Sequence, residues 1–164
     1  MPVGYRAPQW SLSLENRWAL DILIEEGYSY DSSMTPLPFI GNRSGSRTPY
    51  TIETPAGRLF EFPPFVTPSV IGNLPTGGGW GFRFFPFRFI SGTVETLNAS
   101  GAPAVFFLHP RELDPYGPRL PLSPLRKFVV YGSRSDAAPR IERLLSSYTF
   151  VPLVDLVASW QSVC

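Results

Sequence analysis

The segment PAVFFLHP, residues 103–110, sets the tightest limit on what this chain can fold into. Prolines close it at both ends, and five consecutive apolar residues, Ala104 to Leu108, fill it. Such a run is too short for a helix and lacks the polar alternation of a strand with one wet face. It predicts a strand buried on both sides, as in a parallel sheet covered by helices. The run ends on His109, the one histidine of the chain, and then turns polar through Arg111, Glu112 and Asp114.

The other segments fit an α/β order. Apolar spacing predicts a helix over Ser13 to Glu26, with Leu14, Trp18 and Ile22 on one face, Ala19 and Leu23 beside them, Ser11 or Ser13 as the cap, and Gly27 as the stop. YSYDSS predicts a short strand ending on Asp31. Residues 34 to 58 predict a long loop, and LFEFPPF a strand that Pro63 and Pro64 end. The glycine-rich NLPTGGGWGFRFFPF leads to a helix at Arg88 to Asn98. After a second proline-rich loop, Asp136 is expected to cap a helix with Ile141, Leu144, Leu145 and Tyr148 on its apolar face. YTFVPLVDLV predicts a closing strand and a short tail. Alternation of this kind points to an α/β fold with a largely parallel sheet in one domain, residues 1–164.

Composition narrows the function classes. The 19 prolines and 14 glycines make up a fifth of the chain, yet 15% of residues are aromatic, so the loops are expected to be ordered and fit to line a site. A net charge of +1 gives no basic surplus for nucleic acid. No apolar run approaches the roughly 20 residues of a membrane span. MPVGYRAPQW has neither the charged nor the apolar region of a signal peptide, which predicts a cytoplasmic chain. A single cysteine, Cys164, rules out a disulfide framework and a cysteine-based zinc site within the chain.

In parallel sheets functional groups gather at the C-terminal ends of strands. Arg6 after VGY, Asp31 after YSY and His109 after VFFL occupy such positions. They can serve chemistry there, or simply make the hydrogen bonds that start loops. GGGWGF lacks the Lys-Ser/Thr of a phosphate loop, so a tight turn is its expected role. Trp80 within it can stack on a sugar ring or belong to the core. Arg111, Glu112 and Asp114 are either a solvated loop or the groups that hold His109 in place.

GYRAP, YDSS, LFEFPP, NLPTGGGWGFR and PAVFFLHPRELDPYGPRLP together resemble the C-terminal part of polysaccharide deacetylases of the NodB-homology type, above all the subfamily of exopolysaccharide and PEP-CTERM loci. The resemblance implies an incomplete (β/α) barrel with long Pro/Gly/aromatic loops, and removal of acetyl groups from an N-acetylated polysaccharide. It implies that Arg6, with Pro8, orients the catalytic base, that Asp31 tunes the acid histidine, and that His109 protonates the leaving amine. Trp80, Phe107 and Leu108 would face the substrate, with Phe107 standing where leucine is commoner. A proton donor of this kind works when a nearby carboxylate keeps the imidazole charged, which makes Asp31 the expected partner of His109.

The family's divalent metal, zinc by expectation, is held by an aspartate and two histidines in an N-terminal half that has no counterpart in these residues. The chain is therefore expected to be the acid half of an active site, inactive alone, holding no metal itself and able to pair with a separate N-terminal fragment. The alternative is a carbohydrate-binding or scaffold remnant without turnover.

Overall fold

The computed structural model describes residues 1–114, 116–132 and 137–161. The expected cap Asp136 and the terminal Cys164 lie outside them.

Among the described residues, four short strands form one sheet: β1 (Gly4–Tyr5), β2 (Tyr30–Asp31), β3 (Tyr50–Thr54) and β4 (Gly57–Glu61). The order is β1-β2-β4-β3. β1, β2 and β4 run parallel, while β3 pairs antiparallel with β4 across the two-residue turn Pro55–Ala56. The sheet is open, with β1 and β3 at its edges. Residues 34 to 58 are therefore not one long loop. The alternation in YTIET builds β3, and Gly57, at φ +136°, takes a backbone conformation that favours glycine. The class is mixed α/β, with an antiparallel edge on a parallel centre.

The first helical segment begins where its sequence predicts. Ser13 caps a short 3-10 turn, Leu14–Asn16, and α1 (Trp18–Glu25) follows. Gly27 ends it at φ +84°, with the Tyr28 amide reaching back to the Leu23 carbonyl. The buried face is not the expected one, however. Leu20 and Leu23 are inside, whereas Trp18 is 65% and Ile22 47% exposed. WALDILIE carries apolar side chains around most of its circumference, so spacing cannot select a face. Contact with Leu59 of β4 and Ile52 of β3 does.

Successive residues of a strand point to opposite faces. Leu59 joins the α1 core, and Phe60 packs with Phe62 and Val105 on the other side. That second side is closed by α6 (Leu153–Gln161) through Leu153, Leu156 and Val157. The expected closing strand is therefore a helix. Apolar residues at 153, 156, 157 and 160 have helical spacing, and Pro152 lies just before the first turn.

A further core joins α2 (Gly79–Phe84), α3 (Phe87–Ala99) and α5 (Ala138–Ser147) through Phe82, Ile90, Val94, Ile141 and Leu144. Leu145, expected on the apolar face of α5, is 57% exposed. The second proline-rich loop contains α4 (Pro124–Tyr131). Among the described residues no helix is long and apolar enough to cross a membrane.

Residues 103–108 are extended but form no ladder. They are tied by single bonds, from the Phe65 amide to the Val105 carbonyl (2.8 Å) and from the Phe107 amide to the Gly77 carbonyl (2.9 Å). Glycine makes this approach possible, because a Cβ at Gly78 would run into the Phe107 carbonyl oxygen. The glycine run is thus a crossing point for two backbones as well as a turn.

Candidate functional site

Three parallel strands end in register: Tyr5 is opposite Asp31, and Asp31 opposite Glu61. Arg6 follows β1 directly, so one guanidinium and two carboxyl groups sit side by side at the C-terminal edge of the sheet. The Arg6 Nε–H donates to the Ser32 carbonyl (3.0 Å) and Nη2 to Ser32 Oγ (2.7 Å). Ser32 Oγ in turn donates to the Phe62 carbonyl (2.6 Å). Burial lowers the Arg6 pKa, while Glu61 and then Asp31 favour its charged form.

Asp31 and Glu61 are wholly buried. Asp31 accepts hydrogen bonds from Ser33 Oγ (2.7 Å) and the Ser33 amide (3.1 Å), and Ser33 Oγ accepts from the Ala7 amide (2.7 Å). Glu61 Oε1 accepts from the Met34 amide (3.0 Å). Glu61 Oε2 is buried without a hydrogen bond of standard geometry, and a proton on Glu61 gives that carboxyl an acceptor in Asp31. Burial, then the Asp31 charge and this hydrogen bond, push the Glu61 pKa up to about 9. The same burial, with Glu61 and Asp31 beside it, pushes Tyr50 up to about 12.

This shift links stability to pH. The unfolded carboxyl loses its proton near its ordinary value of 4.5, and the folded one near 9. The stabilisation is fully present below the lower value and is lost as pH rises through the higher one. Stability should therefore fall across that window, approaching ~1.4 kcal/mol per pH unit for one proton. Glu61→Gln, which keeps a donor towards Asp31, should flatten the decline and melt higher than the parent at pH 8. Melting curves from pH 5 to 9 check this; parallel curves for the two proteins would show that Glu61 does not carry the linkage.

Arg6 also faces outward. Its guanidinium carbon lies 5.2 Å from the Phe107 ring centre and 5.6 Å from that of Trp10. Trp10 meets Phe107 edge-on at 5.0 Å, and Phe107 meets His109 edge-on at 5.8 Å. Residues a hundred positions apart in sequence thus form one continuous surface: Arg6, Trp10, Phe107, His109. Gln9 and Trp10 both have positive φ, 55° and 57°. Non-glycine residues held there are strained, and such strain concentrates at functional sites.

His109 is exposed and begins a 3-10 turn, Pro110–Glu112. Its amide donates to Glu112 Oε2 (3.0 Å). Glu112 is buried and lies 3.8 Å from the Nε of buried Arg83. Burial, then Arg111, lower the His109 pKa; Glu112 opposes them, and Arg6 and Arg83 reinforce them. The carboxylate acting on His109 is therefore Glu112 and not Asp31, and the net direction is down. Asp31 is committed to Ser33 and lies beside Glu61, so the expected Asp31–His109 partnership gives way to two separate carboxyl systems on either side of Arg6.

Trp80 lies in a different cluster, against Phe84, Phe85 and Phe128 at 5.8–6.2 Å. Leu108 is 42% exposed beside His109. Sequence reasoning missed Trp10, Glu61 and Ser33. Glu61 was detectable, because LFE ends a strand on a charge just as GYR and SYD do.

The implied metal does not fit the described residues. No three His, Cys, Asp or Glu groups converge among them, and Asp31 and Glu61 are engaged with each other and with backbone amides.

The class defined by fold and site is a mixed α/β protein with an arginine–carboxyl group at the C-terminal edge of its sheet, linked through Phe107 to an exposed imidazole. More particularly, the chain belongs to the family described as "Domain of unknown function (DUF3473)", whose profile matches residues 32–158. That span includes Glu61, Phe107 and His109. No curated protein and no solved structure matches the chain.

Proposed function

We propose that the chain is the C-terminal part of a polysaccharide deacetylase that hydrolyses N-acetyl groups of a cell-surface or exopolysaccharide sugar. The segments GYRAP, YDSS and PAVFFLHP, which resemble the C-terminal part of such enzymes, support this reading. The observation that carries the reading is the contact surface from Arg6 through Phe107 to His109. Hydrolysis breaks the amide C–N bond, delivers hydroxyl to the acetyl carbon and puts a proton on the nitrogen. An exposed imidazole is suited to give that proton, and Arg6 is suited to orient groups on the adjoining strands. Ser32 holds Arg6, while Asp31 and Glu61 hold the loop after β2 through Ser33 and Met34.

The deciding assay is acetate release from an N-acetylated oligosaccharide by a polypeptide joining this chain to a deacetylase N-terminal segment. The expected result is release that disappears when this chain is omitted. Saccharide binding with no release would overturn it in favour of the second reading, a carbohydrate-binding module. The strained Gln9–Trp10 pair supports that rival, because it builds an aromatic and cationic platform on which a sugar face can rest.

A further inference from the structure

Beside His109 opens a cavity of about 270 Å³ lined by Arg83, Arg111, Arg119, Asp114, Gly117 and Tyr131. It shares no residue with the Arg6–Trp10 surface. The volume lies near the ~300 Å³ lower limit of ligand pockets, a size for one sugar unit and not a long chain. Its walls are unusually basic for a chain of net charge +1.

The three arginines differ in what they do. Arg83 is buried and structural: Nη1 donates to the Tyr131 carbonyl (2.6 Å), Nη2 to the Val130 carbonyl (3.2 Å), and Glu112 offsets its charge. Arg119 is exposed, and its guanidinium carbon lies 5.4 Å from the centre of the Tyr131 ring. That ring is fixed in turn, because the Leu120 amide donates to the Tyr131 hydroxyl (2.7 Å). Arg111 is exposed at the His109 end. Among the described residues neither Arg111 nor Arg119 has a carboxylate within ion-pair distance. Asp114, whose Oδ1 accepts from the Tyr116 amide (3.1 Å), sits on the same wall.

The geometry points to a subsite for the carboxylate of an acidic sugar, a hexuronate unit of the polysaccharide. With Arg83 balanced by Glu112, Arg111 and Arg119 against Asp114 leave a single positive charge, which matches a monoanion better than a dianionic phosphate. Guanidinium groups pair with a planar carboxylate through two parallel N–H donors. The inference rests on the deacetylase reading and adds to it the charge class of the saccharide. It also gives Arg111 a second consequence, since a bound carboxylate screens the field that Arg111 exerts on His109.

The single histidine makes His109 an unambiguous NMR reporter. The 164-residue chain is titrated in turn with glucuronate, glucose and inorganic phosphate, following the His109 imidazole resonances. Glucuronate should shift them saturably and raise the His109 pKa, while glucose at the same concentrations should not. Arg119→Gln, at an exposed position, should keep the melting temperature and weaken glucuronate binding about tenfold, the worth of one charge-assisted contact. Equal responses to glucose and glucuronate, tighter binding of phosphate, or an unaltered Arg119→Gln titration would overturn the proposal. Glucuronate binding by a chain whose joined form releases no acetate would leave the pocket standing and remove the deacetylase reading. Acetate release without glucuronate binding would do the reverse.

Discussion

On the proposed deacetylase reading, replacing His109 by alanine in the joined polypeptide is expected to slow acetate release roughly 10²–10⁴-fold, the usual worth of a positioned general acid. The chain offers no second imidazole, and Phe107, Leu108 and Pro110 around it cannot give a proton. The pH profile should carry the signature of the local charges. Burial and Arg111 hold the His109 pKa below its ordinary value, so the acid form is lost early and the alkaline limb should lie below that of a free histidine. Arg111→Ala removes one repulsive charge and should move that limb upward. Asp31→Asn should leave it in place, because Asp31 does not act on His109. Acetate release as a function of pH in the three variants checks this; a His109→Ala rate within a few-fold of the parent would take the histidine out of the chemistry.

Glu112→Ala should destabilise the fold by about 3–5 kcal/mol, the cost of leaving one half of a buried ion pair without the other. Arg83 and Glu112 are at most 2% exposed. The Arg83 guanidinium joins the Gly79 carbonyl of α2 to the Val130 and Tyr131 carbonyls of α4. Burial lowers its pKa, and Glu112 is the group that favours its charged form. Glu112 also receives the His109 amide, so the same change loosens the turn that presents the imidazole. Glu112→Gln retains an acceptor for that amide and should be milder. Urea unfolding measures both; a Glu112→Ala midpoint indistinguishable from the parent would show that the pair contributes nothing net.

Much of this was legible in the residues. Ser13 and Gly27 mark a helix start and stop because capping and left-handed conformations are local properties, set within a few residues. The helix expected over 88–98 matches α3 within a residue at each end. The strand ends that place Arg6 and Asp31 can be read from an abrupt change from apolar to charged. Other elements cannot. FVPLVDLV carries both a strand-like apolar run and helical spacing, and only a place against Phe62 and Val105 selects the helix α6. PAVFFLHP is not the buried strand its apolar run predicts: a ladder needs neighbours along its whole length, and the Gly77 and Phe65 backbones touch it once each.

Sequence by itself determined the inventory: one imidazole, short elements punctuated by proline and glycine, and a charged residue at the end of each apolar run. Which charges meet was decided only in three dimensions. Asp31 pairs with Glu61 because β4, and not the 103–108 segment, lies beside β2, and strand order is a long-range choice that no local pattern encodes. His109 takes Glu112 as its carboxylate because a 3-10 turn folds that side chain back under it. The pKa directions follow from burial, which belongs to the packed molecule and to no single stretch of its sequence.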